Sequence, residues 1–237
     1  MRFSLLLVAP IIGACVLCPR VTRADGLLYQ LPEDGSWVRF DAHYTFKVDG
    51  MEKAGQGTGT MTMASVGKVL EGSEPCRWIE FNVHLRDSGT EHILIRKLLI
   101  PEKRLKRGEN ATEHVVRGWA KFDNEDVAPA VPVHGRWPAY LAGPLQDEKT
   151  LDAQFVESKL GALMCEGVTG WIQYEEGDVQ MKVTFETRLH EKAPFGVVSS
   201  RMQFEMKSNG KVQQTVDATM KLADFGNGTE TLLPDHT

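Results

Sequence analysis

The stretch Trp37-Val-Arg-Phe-Asp-Ala-His-Tyr-Thr-Phe46 alternates without a break. Val38, Phe40, Ala42, Tyr44 and Phe46 fall on one side of an extended chain, and Trp37, Arg39, Asp41 and His43 on the other. A period of two marks a half-buried strand. Lys47-Val-Asp-Gly50 then supplies turn chemistry, and Gly55-Gln-Gly-Thr-Gly59-Thr-Met-Thr-Met63 opens the next strand. Residues 76–86 alternate again, so Ile79 and Phe81 share a face that Trp78 and Glu80 do not. A turn at Asp87-Ser-Gly89 leads into a strand over residues 91–100.

The second half repeats the rhythm. Strands are predicted over 155–160, 163–167, 171–174, 179–190, 197–207 and 211–222, with Ser208-Asn-Gly210 as a hairpin turn. The apolar positions Val38, Phe40, Tyr44, Ile79, Phe81, Val83, Val183 and Phe185 form the expected core. Pro101 and Gly108 punctuate a helix between them. Thr112 caps a second, over 112–122. Pro129, Pro132, Pro138 and Pro144 interrupt residues 123–150, which read as a surface excursion with a short helix near 137–141. The tail from Asp224 is polar and reads as loose. The fold class is therefore mainly β. It is a single curved antiparallel sheet or incomplete β-barrel, with one or two helices at its mouth.

Residues 1–24 stand apart. An apolar run over 3–18 follows Arg2 and precedes Thr22-Arg-Ala24, the pattern of a secretory signal peptide cut before Asp25. The run is short for a membrane span. Ile12-Gly-Ala-Cys15 offers the competing reading of a lipid anchor on Cys15. Residues 25–237 then form one β-rich domain, exported to the periplasm or the extracellular space. The chain carries a net charge of −5, and loss of Arg2, Arg20 and Arg23 would take it to about −8. That argues against nucleic acid as a partner.

No residue set announces catalysis. There is no Gly-x-Ser-x-Gly elbow. Gly55, Gly57 and Gly59 lack the flanking helix of a phosphate loop and fit close strand packing better. The acid pairs Glu33-Asp34 and Glu175-Glu176 sit at turns, where carboxylates are ordinarily solvated. His84 and His92 flank the Asp87-Ser-Gly89 turn, a surface metal site at best. No catalytic residue, metal or cofactor is expected. Lys97, Lys103, Arg104, Lys106 and Arg107 would form a basic rim or a solvated helix face. Cys76 and Cys165 allow a disulfide by count, with two buried thiols as the other reading.

The methionines are more informative. Met61 and Met63 share one strand face, and Met202, Phe204 and Met206 share another, with Met181 and Met220 placed to join them. Flexible, polarizable side chains suit an adaptable apolar cavity, and they equally suit an ordinary core.

Two segments carry a resemblance: Lys159-Leu-Gly-Ala-Leu-Met-Cys-Glu-Gly-Val168 and His190-Glu-Lys-Ala-Pro-Phe-Gly-Val-Val198. Over residues 155–207 the chain resembles exported bacterial proteins related to the lipoprotein-carrier fold. The resemblance implies an incomplete barrel of about eleven antiparallel strands around helices in its mouth. It also implies an apolar cavity for a lipid or lipidated protein. The functional expectation is an exported, non-catalytic protein binding an apolar or lipid-like ligand. A ligand-free structural protein of the envelope and an envelope hydrolase are the alternatives. Protein recovered after export should begin at Asp25 by intact mass; a chain that keeps Met1 would refute the leader.

Overall fold

The computed structural model describes residues 27–87, 89–106, 109, 111–130 and 145–233. The leader, Cys15, Arg107 and the helix expected near 137–141 lie outside them. Eleven strands follow in chain order: β1 (Trp37–Val48), β2 (Gly55–Glu71), β3 (Glu74–Asp87), β4 (Thr90–Pro101), β5 (Arg117–Phe122), β6 (Ala128–Pro129), β7 (Gln146–Ser158), β8 (Gly161–Glu176), β9 (Val179–Leu189), β10 (Val197–Ser208) and β11 (Lys211–Gly226). They form one sheet in the order β6-β5-β4-β3-β2-β1-β11-β10-β9-β8-β7. Neighbours pair antiparallel throughout. β6 and β7 are its edges, so the sheet is open. The first and last strands meet in the middle, from Trp37 opposite Gly226 to Val48 opposite Gln214.

Alternation decides what each face buries. Val38, Phe40, Met63, Ile79, Val183 and Phe185 are completely buried on the inner face. One end of this face is plugged. The turn before β10 lays Phe195 into the core, and Tyr29 N donates to Phe195 O at 3.2 Å. Gly196 turns the chain there at φ +85°, where a side chain would collide with Tyr29 Cβ. Gln30 Nε2 donates to Ala193 O at 2.6 Å. Arg77, nearly inaccessible, ties this end together by donating to Pro32 O, Ser65 Oγ and Glu102 Oε1.

The outer face of β3 and β4 is buried too. Trp78 packs with Cys76, Leu99, Val66, Val69 and Trp119. Lys97 Nζ lies 5.1 Å from the Trp78 ring centre. The tail beyond β11 crosses this face. The Glu80 carboxylate accepts from Thr231 Oγ1 at 2.7 Å, Leu232 N at 3.1 Å and Leu233 N at 3.2 Å. Lys97 Nζ donates to Leu233 O at 3.1 Å, and Leu233 is buried. The segment expected to be loose is a strap through residue 233.

Several expectations change. Neither predicted α-helix forms among the described residues. Residues 102–104 make a single 3-10 turn, because β4 runs through Pro101 and this charged stretch has only Leu105 to bury. Residues 111–114 make another, and Arg117-Gly-Trp-Ala-Lys-Phe122 becomes β5, its alternation satisfied by pairing with β4. The strands predicted at 163–167 and 171–174 are one strand, β8. Of the two readings left open for Cys76 and Cys165, the structure has both as buried free thiols in separate apolar clusters. Burial raises the pKa of both, so they stay protonated.

The Glu80→Ala change removes the carboxylate that accepts from Thr231, Leu232 and Leu233 and so releases the strap. It should cost about 2–3 kcal/mol in urea denaturation and make the C-terminus a protease target.

Candidate functional site

The end of the sheet opposite the plug is open. There β1, β2, β3, β8, β9, β10 and β11 line a cleft of about 630 Å³, within the range of small-molecule pockets. Its wall follows from register. Ala218 of β11 stands between Tyr44 of β1 and Met202 of β10. Val216 stands between Phe46 and Phe204, and Met206 faces both Gln214 and Met181. Met220 faces Ala42, and Met61 faces Val83 of β3. Five of the chain's nine methionines line this space.

The glycines of β2 hold the cleft's other side. Gly55, Gly57 and Gly59 sit opposite Phe46, Tyr44 and Ala42. A methyl group on Gly55 would strike the Phe46 ring, and one on Gly57 the Tyr44 ring. The bare backbone leaves room for both rings, which are tilted 31° to each other with centroids 6.3 Å apart. The Gly-x-Gly-x-Gly run thus serves aromatic packing at a cavity wall.

Of the residues singled out as cavity-lining, Met61, Met202, Phe204 and Met206 line this one cleft. Met63 does not; it is fully buried one step nearer the plug, opposite Val38 and Phe81. Met181 and Met220 complete the wall. Sequence reasoning missed Asp87, which follows Val83 and Leu85 on the same face and reaches the rim. In the sequence it reads as part of the Asp87-Ser-Gly89 turn. Burial and the neighbouring Asp87 carboxylate push the Tyr44 hydroxyl's pKa up.

The remaining candidates disperse. His84 pairs with Ile93 and His92 with Leu85, so the two histidines occupy opposite faces. His92 Nδ1 lies 3.4 Å from Asp123 instead. Among the described residues no group of three His, Cys, Asp or Glu side chains could hold a metal ion. Asp34 is structural: its carboxylate accepts from Ser65 Oγ and Gly67 N at the β2 bulge. Glu175 accepts from Gln173 and Gln180, which holds its pKa down. The basic cluster also separates, with Lys97 buried, Lys103 on Glu74, and Arg104 on Glu109 at 2.6 Å. Arg96, not anticipated, points inward against the Phe122 ring, and burial pulls its pKa down to about 10. The outer face carries a groove of mixed charge that includes Asp41, His43, Glu186, Arg188 and Lys221.

The chain matches no protein-family model and no curated protein sequence. No helix of the described residues is long and apolar enough to cross a membrane.

A methyl group on Gly59 would meet the His84 carbonyl oxygen, which the sheet fixes, whereas one on Gly55 meets a side-chain ring. Gly59→Ala should therefore cost more than Gly55→Ala, with about 1–3 kcal/mol expected for the former by chemical denaturation. Gly55→Ala should instead only displace the Phe46 ring, a side chain that can give way.

Proposed function

We propose that this chain is an exported, non-catalytic binding protein of the cell envelope that holds one apolar or amphiphilic ligand. The observation that carries the reading is the methionine-lined cleft at the open end of the sheet. A well-packed protein interior has few voids larger than a water molecule. Here the plugged end meets that standard with Phe40, Phe185 and Phe195 fully buried, while the open end of the same sheet leaves about 630 Å³. Unbranched thioether side chains adjust to differing ligand shapes at low cost. The resemblance of residues 155–207 to proteins of the lipoprotein-carrier fold supports the same reading. The chain itself forms an open sheet of eleven antiparallel strands, and the α-helices that the resemblance implies do not occur among the described residues. The leader pattern of residues 1–24 supports export.

Native mass spectrometry of protein purified from its own envelope tests the proposal. A co-purifying small amphiphile is the expected result. A stable protein partner and no ligand would favour a structural role. Turnover of an envelope substrate, lost on an acidic-residue substitution, would mean an enzyme. In vitro, Ala218→Trp places an indole between Tyr44 and Met202 and should abolish N-phenyl-1-naphthylamine binding with little loss of stability. Unchanged binding would place the fluorophore elsewhere.

A further inference from the structure

We infer that the cleft selects amphiphiles with a cationic, amine-type head group, read by Asp87 at the rim. The inference rests on the binding role proposed above and goes beyond it by assigning the head-group charge. Among the described residues Asp87 is the one charged side chain on the cleft wall. The other polar contributors are Thr60, Gln214 and the two tyrosines, all neutral. No described lysine or arginine lines the wall to receive a phosphate or carboxylate head.

Position reinforces charge. Asp87 ends β3 opposite Gly57, and the space that a Gly57 side chain would fill is taken by the end of the Tyr44 ring. Tyr44 pairs with the same glycine, so hydroxyl and carboxylate come together where the apolar wall gives way to solvent. A chain seated among Met61, Met202 and Met220 would thus present its head to Asp87. At a partly buried rim the effective dielectric is well below that of water, and a single charge discriminates strongly between head groups. The cleft's volume suits one compact ligand.

The test is displacement of N-phenyl-1-naphthylamine from the purified protein by three twelve-carbon amphiphiles below their micelle concentrations. These are dodecyltrimethylammonium, dodecyl maltoside and dodecanoate. The expected order of affinity is cation, then neutral, then anion, with at least tenfold between the extremes. Asp87→Asn and Asp87→Ser should bring cation and anion within about threefold while leaving the melting temperature and the neutral ligand's affinity unchanged. Asp217→Asn, which changes an outer-face carboxylate paired with Arg201, should keep the full preference and so exclude the protein's overall negative charge as its source. Equal displacement by all three amphiphiles overturns the head-group inference and leaves the binding role standing. So does an order that Asp87→Asn does not alter. Failure of the wild-type protein to bind the fluorophore or any amphiphile overturns both.

Discussion

The pairing of β1 with β11 holds together two runs of hairpins that share no other strand. β2 to β6 extend from one side of this seam and β7 to β10 from the other. The contacts it makes join residues 166 to 189 positions apart, from Val48 with Gln214 to Trp37 with Gly226. Loop-closure entropy makes such pairings late and slow to form. Both ends of the chain are then secured beside the seam. The segment before β1 is pinned by Gln30 and Arg77, and the segment after β11 by Glu80 and Lys97.

The seam also sets the cleft. Because side chains alternate, the register that puts Phe40 in the core necessarily puts Ala42, Tyr44 and Phe46 on the same face farther along. A one-residue slip would turn Tyr44 outward and bring His43 in. The plugged end and the open end are thus two portions of the same apolar stripe. They differ in what meets them: Phe195 and the 27–31 segment at one end, solvent at the other.

Much of this was legible in the chain. Alternation over 37–46 and 76–86 gave the strands, their faces and the core positions Val38, Phe40, Ile79 and Phe81, all buried. It also grouped Met202, Phe204 and Met206 on one face. What escaped were features set by partners distant in sequence. The 112–122 segment has a helical spacing of Val115, Val116 and Trp119, yet β4 offered an edge, and strand pairing prevailed over local preference. Met63 and Met61 share a face, but only the position of the plug separates core from cleft. The strap was hidden because Thr231-Leu-Leu233 is a short apolar signal in a polar tail, and its receptors, Glu80 and Lys97, look like surface residues on alternating strands. Asp87 was masked by its own turn chemistry.

An open sheet of this size has two edges onto which another copy's strand could add, the geometry from which fibrils grow. The β6 edge is only two residues long and ends in a proline, which has no amide hydrogen to offer. The β7 edge is thirteen residues long and bears an exposed Phe155. It is broken by irregular pairing at Gln146–Lys149 and again at Leu151–Gln154, and its first residues carry Asp147, Glu148 and Lys149. A foreign strand could follow neither kink while holding its ladder of hydrogen bonds. The irregularities that spoil β7 as a strand therefore work against the addition of a second copy's strand at this edge.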